Sequence, residues 1–158
     1  MHTGITIMQK LLVTLLGIST MTLAACSGNS IEDKLAGKAV SKLEGTSWQL
    51  VVADPKKTAD CENLPPVMDF LDAKRVSGNL GCNLFNTEYQ LDGKKLTFKD
   101  AAVTRRMCAP EAMQTEAKLL KVLQDTRFVT QNEQGLMFWN EKGELLVQYE
   151  PEKPGACE

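Results

Sequence analysis

The stretch Ser77-Gly78-Asn79-Leu80-Gly81-Cys82-Asn83 stands apart from the short, ordinary strand patterns on either side of it. Glycine and asparagine dominate it. Glycine tolerates positive φ angles and the close approach of another backbone, and asparagine can hydrogen-bond to its own backbone. The stretch therefore predicts a strand that ends in one specified turn, and the neighbouring elements have to be arranged around that turn.

Strand patterns precede this turn. Residues 46–52 alternate between apolar and mostly polar side chains, which predicts a half-buried strand at the start of a domain. A loop with three prolines follows, over residues 55–66. Residues 67–71 and 75–78 then predict a hairpin, because Asp72-Ala73-Lys74 separates them with turn-forming chemistry.

Further hairpins follow the turn. Residues 89–91 and 95–99 flank Asp92-Gly93-Lys94, which predicts a second hairpin. Near the carboxy terminus, residues 127–130, 136–140 and 144–149 are separated by two polar loops that contain glycine. These last segments predict a β-meander.

The pattern changes from a strand period to a helix period after Pro110. Proline suits the first helical position, and Glu111 and Glu116 favour the positive end of the helix dipole. A helix of about 14 residues is expected. We therefore predict an α+β fold, in which a curved, partly barrel-like antiparallel sheet of hairpins and a meander packs against one helix. The apolar stripe expected to face the core is Met113, Ala117, Leu120 and Leu123.

The amino terminus predicts export and lipidation. An apolar run begins at Leu11 after Lys10 and closes with Leu23-Ala24-Ala25-Cys26. The run is shorter than the roughly 20 residues that a spanning helix needs, and it has the layout of a signal peptide. A cysteine directly after the small residues is typical of bacterial lipoproteins. Residues 1–25 are thus predicted to be removed, and the Cys26 thiol to carry the lipid that binds the chain to a membrane.

The expected organisation behind Cys26 is simple. We expect residues 26–43 to be a lipidated tether, residues 44–150 one folded domain, and residues 151–158 a tail. A short amphipathic helix through Ile31 and Leu35 is the alternative for the tether. Because Ser27 is not acidic, the sequence predicts an outer-membrane anchor facing the periplasm.

Composition argues against several function classes. The formal net charge of −2 gives no basic excess for a nucleic-acid partner. The single histidine is His2, inside the predicted signal, so histidine-based triads and zinc sites are excluded from the mature chain. Paired-carboxylate, phosphate-loop and calcium-loop patterns are also missing from the sequence. We therefore expect no catalytic residues, no metal and no cofactor.

Cysteine content agrees with export. The chain has five cysteines, and beyond Cys26 these are Cys61, Cys82, Cys108 and Cys157. An even number in an oxidising compartment predicts two disulfides, and no pair has the Cys-x-x-Cys spacing of a redox or zinc site. Four cysteines allow three pairings, which the spacing alone leaves open.

An ordered set of residues resembles the META domain of heat-shock-induced bacterial envelope lipoproteins. The set is Trp48, residues 78–83, Tyr89, Gly93, Thr104 with Cys108 four residues later, and a helix containing Glu116. Arg106 stands where the family usually has methionine. The resemblance covers about residues 44–149. It implies one α+β domain with a curved antiparallel sheet, no established catalytic activity, and an association with envelope stress and antibiotic tolerance.

The resemblance also implies a Cys82–Cys108 disulfide and, with it, a Cys61–Cys157 disulfide. Asn79, Asn83, Thr104 and Arg105 are the candidate binding residues. For Asn79, Asn83 and Thr104 the alternative is that their side chains cap turns and the helix start. Arginines at 105 and 106 are suited to phosphate, including that of an anionic lipid.

Three functional hypotheses follow. The first is a non-enzymatic, lipid-anchored envelope module whose partners are the membrane, through Cys26, and an unidentified envelope protein or lipid. The second is a pilot-like or chaperone-like lipoprotein that holds an apolar peptide or an acyl chain in a groove of the sheet. The third is a hydrolase that uses carboxylates or lysine.

Overall fold

The computed structural model describes residues 30–51 and 65–152. In these ranges the chain forms nine strands and two helices. The helices are α1 (Ile31–Lys34) and α2 (Pro110–Asp125). The strands are β1 (Thr46–Leu50), β2 (Val67–Phe70), β3 (Arg75–Asn79), β4 (Leu84–Asp92), β5 (Lys95–Phe98), β6 (Ala102–Val103), β7 (Phe128–Asn132), β8 (Gly135–Trp139) and β9 (Leu145–Pro151).

The strands form one antiparallel sheet that closes into a ring. Its order is β3-β2-β1-β9-β8-β7-β5-β4-β6, and a further pairing between β3 and β4 joins the two sides. The β3–β4 pairing runs over five residue pairs, from Arg75↔Glu88 to Asn79↔Leu84. Between β5 and β7 the register holds a single pair, Lys95↔Phe128. With α2 packed beside β5, this is the expected α+β fold.

The core lies inside the ring. Along β4, Phe85, Thr87 and Tyr89 are buried while the residues between them are exposed, because successive side chains of a strand point to opposite faces. Phe138 is fully buried between Phe98 and Tyr149, with ring centroids 5.8 and 5.4 Å away. Each such side chain stabilises the fold by about 1.5–3 kcal/mol through its removal from water.

Both predicted hairpins and the meander are present, and polar side chains fix their turns. In the first hairpin, Asp72 Oδ1 accepts hydrogen bonds from the backbone N–H groups of Lys74 and Arg75, at 2.9 and 2.8 Å. These bonds, together with the Arg75 guanidinium, hold the pKa of the Asp72 carboxyl below its usual value. In the meander, Asn140 Oδ1 accepts from Lys142 in the same way.

The buried face of α2 differs from the predicted stripe. Leu119 and Leu123 are its buried residues, at 4% and 3% exposure. Met113 is 43% exposed and Ala117 is also exposed, so the expectation that they face the core was wrong. The helix therefore packs through a face rotated from the expected one, and Leu120 lies at its margin.

The segment before β1 is also part of the core. Leu35, Val40 and Leu43 are buried, at 7%, 3% and 1% exposure. Lys38 forms an antiparallel bridge with Gln131 of β7, with two backbone hydrogen bonds of 2.8 and 2.9 Å. The interpretation of residues 26–43 as a tether is thus wrong for residues 35–43. The alternative is correct only for the short helix α1.

Candidate functional site

The turn between β3 and β4 is organised by the side chain of Asn83. This residue is 4% exposed. Its Oδ1 accepts hydrogen bonds from Thr104 Oγ1 at 3.0 Å and from the Arg106 backbone N–H at 2.7 Å. Its own backbone N–H donates to Glu116 Oε2 of α2 at 2.9 Å. One asparagine therefore joins the turn to the segment before α2 and to α2 itself.

Glycine and asparagine shape the turn as their chemistry predicts. Gly81 has a φ of +102°, and a Cβ at this position would lie 3.5 Å from Thr115 Cγ2 of α2. Asn79 Oδ1 accepts a hydrogen bond of 3.1 Å from the Gly81 N–H. Positive φ with a helix close by favours glycine here, since other residues are strained in that conformation.

A disulfide fixes the same region covalently. Cys82 and Cys108 are joined with an S–S distance of 2.06 Å and a Cα–Cα distance of 5.9 Å. This is the pairing that the resemblance implied. The bridge fastens the turn to the residues directly before Pro110, where α2 begins. Cys26, Cys61 and Cys157 lie outside the described residues, so their predicted lipidation and pairing stay predictions.

The Asn83 hydrogen bonds and the Cys82–Cys108 disulfide hold one exposed loop in place. We call Arg105–Cys108 the Met107 loop. The Met107 side chain is 90% exposed, the largest value among the exposed large apolar residues in the described ranges. Leu84 is 57% exposed. Its backbone N–H donates to Thr104 Oγ1, and its carbonyl accepts from the Thr104 N–H. The Arg106 guanidinium donates to the Cys82 carbonyl at 2.9 Å, and Arg105 and Arg106 are both exposed.

The candidate binding residues thus divide into two groups. Asn79, Asn83 and Thr104 form hydrogen bonds at the turn. None of them caps the start of α2, whose N-cap residue is Ala109 and which has no side-chain cap. Arg105 lies outside that network of bonds, on the surface of the Met107 loop. Met107 itself was missed, because a single methionine among polar residues gives no periodic signal and its exposure depends on the turn behind it.

Two further properties concern residues 30–51 and 65–152, which the structure describes. In these ranges no group of three or more His, Cys, Asp or Glu side chains could hold a metal ion. No helix there has the length and apolar character needed to cross a bilayer. An open groove of about 670 Å³ lies between residues 37–39 and the β7–β8 turn, and polar side chains line much of it. Lys38 and Glu133 are the charged residues of its lining.

Comparison with known proteins decides the family. The family model described as META domain matches residues 41–153. The chain belongs to the META domain family. No curated protein matches the sequence. This META domain is similar to an NMR structure of a protein from Burkholderia xenovorans, with a TM-score of 0.56 and 21% identity over 71% of this chain and 85% of that one. A second NMR structure has a TM-score of 0.55 and 28% identity over 69% and 91% of the two chains.

Proposed function

We propose that this META domain is a non-enzymatic, lipid-anchored module of the cell envelope that binds or supports another envelope component. The lipid on Cys26 holds it at the outer membrane, facing the periplasm. Envelope stress and antibiotic exposure are the conditions in which such a module acts. The observation that carries the proposal is the Met107 loop, an exposed apolar and cationic element held on a fixed framework.

The framework supports a binding role because it lowers the cost of association. Asn83, the disulfide and the contact with Glu116 already order the loop before any partner arrives. A loop ordered in advance loses less conformational entropy on binding than a free one. Methionine fills irregular apolar surfaces, and arginine forms paired bonds with carboxylates or phosphates.

The chaperone-like alternative has less support. It requires an open apolar groove between the helix and the sheet. In the described residues that space is occupied by the buried side chains of Leu119 and Leu123 from α2 and of Leu96 and Val129 from the sheet. The hydrolase hypothesis has no specific observation in its favour.

Crosslinking in cells tests the proposal. A photoreactive amino acid replaces Met107 in the lipidated protein, and mass spectrometry identifies what is captured. The matched control carries the same amino acid at Glu133, which is exposed on the β7–β8 turn. We expect a specific envelope component from position 107 that is lost in a Cys26→Ala background. Equal capture from both positions, or no specific product, contradicts the proposal.

A further inference from the structure

Three segments meet beside the junction of β5 and β7, close to where α2 ends: α1, the β4–β5 turn and the β8–β9 turn. We call this region the proximal end. Lys94 Nζ donates to the carbonyl oxygens of Glu32 and Leu35, at 2.9 and 3.2 Å. A Cβ placed on Gly143 would lie 3.3 Å from Cγ2 of Ile31. These contacts fix the amino-terminal helix onto two turns of the sheet.

The Met107 loop lies at the other end of two elements that start at the proximal end. Helix α2 has 16 residues and therefore spans about 24 Å. It begins next to Cys108 and ends beside β5, where the Leu96 N–H donates to the Arg127 carbonyl at 2.9 Å. Strand β4 covers a similar length, from Leu84 at the Met107 loop to Asp92 before the β4–β5 turn. Two independent elements thus separate the loop from α1.

The chain between the predicted lipid and the proximal end is short. Five residue steps separate Cys26 from Ile31, and an extended chain covers at most about 18 Å in that number of steps. This is less than the length of α2. Because α1 is packed onto the sheet, a lipid on Cys26 keeps the proximal end within that distance of the bilayer.

We propose that the proximal end is the surface through which this domain contacts the bilayer, and that the Met107 loop faces away from it. This inference rests on the lipid anchor of the proposed function. It adds an orientation: the membrane occupies one end of the domain, and the binding loop is presented to the periplasm at the other.

The side chains at the proximal end suit the surface of a bilayer. Ile31 is 38% exposed, and Leu145, two residues beyond Gly143, is 50% exposed. Exposed aliphatic groups of this kind can enter the headgroup region. Lys34 and Lys142 are exposed beside them and can place their ammonium groups at the level of the phosphates. The same segments also carry Glu32, Asp33, Asp92, Glu141 and Glu144, with Lys94 and Lys95, so this surface has no basic excess and anionic lipid is not required for the contact.

Paramagnetic broadening measured by NMR tests this orientation. The full, isotope-labelled lipoprotein is placed in nanodiscs of phosphatidylethanolamine and phosphatidylglycerol that contain a gadolinium-chelating lipid. We expect amide broadening to be several-fold stronger for residues 31–35 and 141–143 than for residues 105–108. Equal broadening at the two ends, or stronger broadening of the Met107 loop, overturns the proposal.

Two matched variants sharpen the result. Leu145→Glu should reduce the broadening of residues 141–143. Leu84→Glu, at a leucine of similar exposure beside the Met107 loop, should leave that broadening unchanged. Intact mass is measured on the same sample. A chain without lipid on Cys26 overturns both the anchor and the orientation, whereas a lipidated chain with the wrong broadening pattern overturns the orientation alone.

Discussion

At the scale of single residues, Asn83 joins the β3–β4 turn to the segment before α2 and to α2 itself. Its Oδ1 serves two donors, Thr104 Oγ1 and the Arg106 N–H, from within the protein. We expect Asn83→Ala to lower the free energy of unfolding by about 2–3 kcal/mol, because both donors lose a buried acceptor. Denaturant unfolding measures this difference.

Asn79→Ala is the matched control. Asn79 is half-buried, and its side chain accepts one bond, from the Gly81 N–H. The expected loss is about 0.5–1 kcal/mol. Equal losses for the two variants would show that Asn83 does not organise the turn.

Gly78 is required by a close backbone approach. A Cβ at this position would lie 1.9 Å from the Val67 carbonyl oxygen of the neighbouring strand. We expect Gly78→Ala to cost about 3 kcal/mol, because the β2–β3 pairing has to open. Gly93→Ala is the control, because that site has a φ of +59° and no atom within 4 Å of the added Cβ. We expect it to lower the free energy of unfolding by about 1 kcal/mol. Thermal unfolding of the pair checks the order, and the reverse order would contradict the register of β2 and β3.

At the scale of elements, α2 places two consecutive leucines in different surroundings. Leu119 is 4% exposed and packs in the core, whereas Leu120 is partly buried at its edge. Leu119→Ala should therefore cost about 2–4 kcal/mol, and Leu120→Ala about 1 kcal/mol. Chemical denaturation of both variants measures the difference. A larger loss at Leu120 would restore the helix face that was expected from the sequence.

The Cys82–Cys108 bridge closes a loop with a sequence separation of 26 residues. In the chain-entropy model its removal costs about 3.5 kcal/mol. We expect Cys82→Ser/Cys108→Ser to lose this amount in unfolding experiments and to keep α2 in its circular dichroism spectrum. Non-reducing peptide mapping of the unaltered protein should yield a Cys82–Cys108 peptide. A Cys82–Cys157 peptide in its place would contradict the account.

The elements also show what sequence reasoning could reach. Both hairpins and the meander were predictable, because alternation and turn chemistry are local properties of the chain. The face of α2 was not, since apolar residues occur on two sides of the helix and the position of the sheet decides which side is buried. Burial of Leu35, Val40 and Leu43 was missed for a similar reason: their spacing is irregular, and their partners are distant in sequence.

The candidate site likewise has one part that could be predicted from the sequence and one part that could not. The turn at residues 78–83 was recognisable because glycine and asparagine have conformational preferences of their own. Exposure of Met107 was not, because it depends on a hydrogen-bond network that joins three separate segments.

At the scale of the whole molecule, the proximal end and the Met107 loop are two different surfaces of one domain. The proximal end receives the chain from Cys26, and the Met107 loop lies about the length of α2 away. Both the binding role and the orientation depend on the lipid at Cys26, which is the central claim of the account.

Intact mass spectrometry of the membrane-extracted protein tests that claim most directly. We predict a chain that begins at Cys26 and carries covalently attached acyl groups, and a Cys26→Ala variant that leaves the membrane fraction. A mature chain with an unmodified Cys26, or a Cys26→Ala variant that stays with the membrane as well as the unaltered protein does, would contradict the account.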